Sequence, residues 1–221
     1  YLPKVEVQLG NVIMEKAKRQ LWVVSHGWLT AEHPDPAGRR VEELVKQLDV
    51  LAAGEDDGVF FDYSSLPQHD KLHVDYRHGE FLPKNHPALK SAEDDKTFAI
   101  AMQGMDRLYA SSASSVIIMR TIYAGSVGLR PGGIPFTVNN REYGDRGWCV
   151  IELTLSHHYG RIANVGDLPE KMPLENVDPD EFDRAIQDKK ICFTCSGDSE
   201  TVLAMFKRYA AAGQIQKLVL A

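Results

Sequence analysis

Three short apolar runs in this chain each break off at polar residues, and segments of helical periodicity lie between and after them. Residues 21–25 (Leu-Trp-Val-Val-Ser), 59–63 (Val-Phe-Phe-Asp-Tyr) and 116–119 (Val-Ile-Ile-Met) have the length and make-up of buried strands. Val41, Leu44, Val45, Leu48 and Leu51 follow the first run, and Phe98, Ala101, Met102, Met105 and Leu108 follow the second. Spacings of three and four draw one apolar stripe along a helix in each case. A third helix, predicted to start near Asp145, carries Trp148, Ile151, Glu152 and Leu155. Alternation of this kind calls for right-handed βαβ units and a mostly parallel sheet. Ligands of such sheets bind beyond the carboxyl ends of the strands. The polar pairs at those ends are Ser25-His26, Asp62-Tyr63 and Arg120-Thr121.

Further elements follow the third helix or precede the first strand. Residues 161–165 read as a short strand and 191–194 as another. Residues 179–189 read as a helix with Asp178 as its cap and Pro179 in its first turn. Residues 199–212 read as a helix closed by Gly213, residues 215–220 as a last strand, and the first twenty residues as an extra strand and helix. Two stretches lack periodicity: residues 64–94, rich in Pro, His, Asp and Gly, and residues 121–145, rich in Gly and Pro. Loops of that length are often functional. No internal repeat or second linker-bounded unit is present, so residues 1–221 read as a single domain with its core at about 20–215.

Composition narrows the function. With 25 Lys and Arg against 31 Asp and Glu, the net charge is −6, which argues against binding a nucleic-acid backbone. No run approaches the roughly 20 apolar residues of a membrane span. Three cysteines do not make a disulfide scaffold, and Cys192-Phe-Thr-Cys195 lies within a strand-like run rather than at a helix start, which favours structural cysteines. The eight histidines show no zinc-ligand spacing, and neither a P-loop, a GxGxxG turn nor a GxSxG elbow occurs.

The segment Gly147-Trp148-Cys149-Val150-Ile151-Glu152-Leu153 carries the most chemical information. Trp148 and Glu152 are four apart and share a helix face. An aromatic wall beside a carboxylate can hold a base or sugar and stabilise an oxocarbenium-like centre. The plainer reading of the same spacing is a core Trp and a solvated helix Glu.

Trp148-Cys149-Val150-Ile151-Glu152-Leu153 resembles the Trp-Cys-x-x-Glu-Leu motif of the Toll/interleukin-1 receptor (TIR) domain family. Val23-Val24-Ser25-His26 resembles that family's first strand, Gly58-Val59-Phe60-Phe61-Asp62 its second, residues 98–112 its following helix and residues 115–119 its central strand. His26-Gly27-Trp28 stands where the family usually has Phe/Tyr-Arg-Arg or Phe-Arg-Gly, and both long loops exceed the usual length. The resemblance implies a three-layer, flavodoxin-like α/β fold with a mostly parallel sheet of five strands or slightly more. It also implies an NAD+ nucleosidase or ADP-ribosyl cyclase, in which Glu152 is catalytic and NAD+ is a substrate rather than a cofactor. Nicotinamide leaves, and ADP-ribose or a cyclic isomer remains.

On that reading Trp148 walls the site, and Ser25, His26, Gly27, Trp28, Asp62, Tyr63 and Arg120 are the substrate-binding candidates, with no metal. Arg141 and Arg146 are further candidates for a pyrophosphate, and Trp28, Tyr63 and Tyr123 for a platform that folds adenine back. Tyr109 and Ser111 read as packing and capping residues. The expected setting is cytoplasmic, or a host cytoplasm for a delivered effector, in immune or effector signalling with self-association for activity. Two other classes stay open: a non-enzymatic TIR-type interaction module, and a nucleoside deoxyribosyltransferase-like enzyme.

Overall fold

The computed structural model describes residues 19–31, 33–66, 74–75, 80–81, 91–123, 128–129, 133–168, 178–194 and 197–211. At its centre are three parallel strands, β1 (Leu21–His26), β2 (Gly58–Phe60) and β5 (Ser114–Met119), in the order β2-β1-β5. Leu21 lies opposite Gly58 on one side and Ser114 on the other, and the β1–β5 register runs through to His26 and Met119. Two short strands, β3 (Val74–Asp75) and β4 (Glu80–Phe81), pair antiparallel within the long segment expected to be irregular.

Strand alternation sorts the side chains. Trp22, Val24, Ile117 and Met119 form a core with Leu44 of α1 (Arg39–Val50) and with Phe61. Val23, Val116 and Ile118 point to the opposite face. They meet Met105 and Tyr109 of α3 (Ala92–Ala110) and the buried residues of α4 (Gly147–His158). Helices therefore cover the central strands on both faces, which explains why β1 and β5 are apolar at successive positions. Phe182 of α5 (Pro179–Gln187) stacks on Phe206 of α6 (Asp198–Ala211), extending the α4 side of the core.

The helix starts follow local chemistry. Ser91 accepts from the amide of Asp94, whose carboxylate accepts from the Ser91 amide, and this reciprocal cap begins α3 six residues before the first predicted position. The predicted Asp178 cap is present, accepting from the amides of Asp180 and Glu181. On α1 the expected stripe is narrower than its sequence suggests: Leu44 is buried, whereas Val41 and Val45 are more than half exposed, at 51% and 52%.

Several predicted strands take other forms. The second run ends as a strand at Phe60, and Asp62–Ser65 makes a helical turn, α2. Phe61 O accepts from the amides of Ser64 and Ser65, and the Asp62 carboxylate from the Tyr63 amide, so local bonds outcompete the ladder. Residues 161–165 contribute a single parallel bridge, with Val116 N–H donating to Arg161 O and Ala163 N–H to Val116 O. Asn164 continues it with its side chain: Oδ1 accepts from Ile118 N–H at 3.0 Å and Nδ2 donates to Ile118 O at 2.9 Å. Residues 191–194 also form one bridge, Arg146 to Cys192, in place of a strand. The described parallel sheet thus has three strands, not five. The predicted elements within 1–18 and 215–220, together with Gly213 and Cys195, lie outside the described residues.

Candidate functional site

Glu152 owes its position to the composition of α4. Residues 149–156 of that helix are all buried, so the helix is enclosed on every side and its one carboxylate goes with it. Glu152 is 6% exposed. A carboxyl group in such a place is costly unless bonded. The bond comes from β1, whose alternation turns Ser25 to the α4 face: Ser25 Oγ donates to Glu152 Oε2 at 2.5 Å. Tyr143 Oη lies 2.5 Å from the same Ser25 Oγ. It belongs to a 3-10 turn, Tyr143–Asp145, immediately before α4. From α3, Tyr109 reaches the Val24 carbonyl at 3.5 Å and also bonds the Glu152 carboxyl.

Burial pushes the Glu152 carboxyl up to about 8. The Ser25 bond works against that rise, the Asp62 charge adds to it, and Tyr109 opposes it. Burial likewise lifts the Tyr143 and Tyr109 hydroxyls well above their ordinary values, and the neighbouring Glu152 charge adds to both. A group with this titration serves as an acid when protonated. When ionised, it is a charge little screened by water.

His26, the next residue of β1, faces the other way. Its ring stacks on Phe61 with centroids 4.3 Å apart, and Nε2 lies 3.0 Å from Asp62 Oδ1. Trp28 Nε1 donates to the other Asp62 oxygen at 3.1 Å, and its ring meets Tyr63 edge-on at 5.8 Å. Burial alone would raise the Asp62 carboxyl, but the His26 charge, its hydrogen bond, the Trp28 indole and the Tyr63 amide outweigh it and hold the group below its ordinary value. Asp62 therefore organises His26, Trp28 and Tyr63 into one polar–aromatic cluster at the carboxyl ends of β1 and β2.

Gly27 lies between His26 and Trp28, and its lack of a side chain has a visible cause. A Cβ there would lie 2.6 Å from Arg146 Nε. Arg146 cannot give way easily, since it donates to the carbonyls of Trp28, Asn139 and Arg141. These bonds make it a clamp between the loop after β1 and the loop before α4. Arg40, also buried, donates to the Gly27 carbonyl at 3.3 Å. Arg141 is exposed.

The other candidates are spread around this centre. Arg120, directly after β5, is exposed, and its charge acts on Tyr143. Trp148 is half-buried against the α4–α6 core, and its indole donates to Asp198 Oδ2 at 2.9 Å. Tyr123 binds α1 instead of joining Trp28 and Tyr63: its hydroxyl donates to Glu43 at 2.5 Å and its ring lies under Arg39 and Arg40. The structure thus unites Ser25 with Glu152, and His26 and Trp28 with Asp62. It adds Tyr143, which no motif singled out, and Tyr109, which the sequence placed only in packing.

β1 is the central strand, and the chain leaves it towards β2 on one side and returns to β5 on the other. That is a topological switch point, where open parallel sheets take their ligands. Both clusters sit at it. Among the described residues no three His, Cys, Asp or Glu side chains converge as a metal-binding set, and no helix is long and apolar enough to cross a membrane. No family model matches the chain, and neither a curated protein nor a solved structure matches it.

Proposed function

We propose that the chain is a TIR-like NAD+ nucleosidase or ADP-ribosyl cyclase that breaks the bond between nicotinamide and ribose. The observation that carries this reading is a single carboxyl group, Glu152, buried at the switch point, hydrogen-bonded by Ser25 and raised to about 8. The C1′–N bond breaks with its electron pair leaving on neutral nicotinamide. The positive charge left at C1′ and the ring oxygen is stabilised by ionised Glu152, whose field is little screened because the carboxyl is buried. Water then adds to C1′ and releases a proton, giving ADP-ribose. Alternatively a nucleophile of the same nucleotide adds, giving a cyclic isomer.

The Asp62-held pair Trp28 and Tyr63 is the aromatic surface closest in character to an adenine platform. Arg120 is the cation for the pyrophosphate, because Arg146 is already bonded to backbone carbonyls. Glu152 is only 6% exposed, so the ribose reaches it only after a local opening of the site. Self-association of the domain is the expected means of that opening, and the biological setting is cytoplasmic immune or effector signalling.

The test is incubation of NAD+ with the domain at high protein concentration, with products resolved by mass, beside Glu152→Ala. Release of nicotinamide by the wild type alone supports the reading, and the mass of the second product separates hydrolysis from cyclisation. Equal turnover by both proteins removes Glu152 from the chemistry. If NAD+ is untouched but 2′-deoxynucleosides are cleaved, the protein is a deoxyribosyltransferase-like enzyme instead.

A further inference from the structure

Tyr143, Ser25 and Glu152 form a chain of three oxygens with two contacts of 2.5 Å, all on side chains less than a tenth exposed. A serine hydroxyl has one hydrogen to give, so the direction of the bonds depends on whether Glu152 Oε2 carries a proton. When Glu152 is ionised, Ser25 donates to it and Tyr143 donates to Ser25, and every hydrogen has an acceptor. When Glu152 presents a proton to Ser25, the serine must turn its hydrogen to Tyr143. The tyrosine hydrogen then loses the one bond that its hydroxyl makes among the described residues. Buried donors left in that condition are costly.

We propose that Tyr143, acting through Ser25, is a positioning residue that fixes the Glu152 carboxylate and keeps it ionisable inside an enclosed helix. The inference deepens the NAD+-cleaving reading and rests on it for its catalytic consequence, though not for its effect on Glu152. Other groups act on the same carboxyl: Asp62 from α2 and Tyr109 from α3; the buried Cys149, one turn back on α4, feels the Glu152 charge in its turn. Asp198 of α6 is engaged by Trp148, and Arg208 of α6 by Asp106 of α3. Arg120 acts on Tyr143 from beyond β5. Tyr143 is distinct among these because its hydrogen bond goes to the serine and not to the carboxyl, so removing its oxygen leaves the Ser25–Glu152 contact in place.

The experiment is a carbon-13 NMR titration of the Glu152 carboxyl, assigned by its loss in Glu152→Gln, in wild type, Tyr143→Phe and Ser25→Ala. Tyr143→Phe removes one atom and keeps the ring, so folding is expected to survive. The expected result is an upward shift of the Glu152 midpoint by about one pH unit in Tyr143→Phe, a tenfold change in proton affinity, and a larger one in Ser25→Ala. An unchanged midpoint in Tyr143→Phe overturns the proposal, whatever Ser25→Ala does and whether or not NAD+ is cleaved. The kinetic counterpart is kcat for nicotinamide release. With ionised Glu152 as the active form, Tyr143→Phe falls about eightfold below wild type at pH 7.5 and comes within about twofold at pH 9.5, with KM unchanged. A pH-independent loss overturns the ionisation role. Shifted midpoints in a protein inert towards NAD+ uphold the relay and reject the nucleosidase reading instead.

Discussion

Replacing Glu152 by Gln should make the protein more stable at alkaline pH while changing little at acid pH. The wild-type carboxyl is pushed from an ordinary 4.5 up to about 8 by burial. Between those values the folded protein holds a proton that the unfolded chain releases, so stability falls as pH rises through the window. At about 1.4 kcal/mol per unit, a rise of ~3.5 units corresponds to a cost on the order of 5 kcal/mol above pH 8, absent below pH 4.5. Glutamine keeps the shape and an acceptor for Ser25 and never ionises. The stability difference between Glu152→Gln and wild type should therefore grow by roughly 3–5 kcal/mol from pH 4.5 to pH 9. Urea unfolding at both pH values, with m-values checked for two-state agreement, measures it directly. Groups other than Glu152 titrate in both proteins and cancel to first order in the difference. A difference that stays constant within about 1 kcal/mol across the range refutes the buried, destabilised carboxyl.

Other predictions concern the supports of the site. A Cβ on Gly147 would lie 1.9 Å from the Phe193 ring, so Gly147→Ala should cost about 1–3 kcal/mol by urea unfolding, and most of that cost should vanish in a Phe193→Ala background. Asn164→Ala leaves the Ile118 amide and carbonyl without the two bonds that Asn164 supplies, at a cost of about 2–4 kcal/mol; Asn164→Asp should be similarly poor at neutral pH and recover in acid, where the carboxyl can donate. Asp62→Asn should lower stability at neutral pH. Because the folded carboxyl titrates below 3.8, the deficit should shrink as pH falls beneath that value, which thermal melts at pH 7 and pH 3 would register.

The parts of the fold visible in the sequence are those whose burial leaves a periodic trace. β1 and β5 show as continuous apolar runs because helices cover both their faces. α5 shows through Asp178 and Pro179, whose roles are local. Residues 191–194 mislead for a physical reason: Ile191 and Phe193 reach the core from an extended segment, and alternation looks the same whether or not a ladder forms. Asn164 is illegible because it completes the sheet edge with a side chain rather than a strand. At the site, the motif points to Glu152, and Ser25 follows from its place at the end of β1. The burial of Glu152 is implicit in residues 149–155, which are apolar nearly all round, though spacing with Trp148 alone suggests a solvated face. Tyr143 lies in an aperiodic stretch and is brought to Ser25 across 118 positions of sequence. Only the fold reveals that contact. The reverse holds for Arg146, whose place before the motif suggests anion binding until its hydrogen bonds show a clamp.

The central claim is that ionised Glu152 cleaves the nicotinamide–ribose bond. Its most direct test is the rate of nicotinamide release from NAD+ at pH 8 by wild type and by Glu152→Gln, each at several protein concentrations, once unfolding curves have shown the variant to be folded. The account predicts release by the wild type, rising more than linearly with concentration, and a loss of about a hundredfold or more in the variant. Equal rates, or no release by the wild type at any concentration, would contradict it.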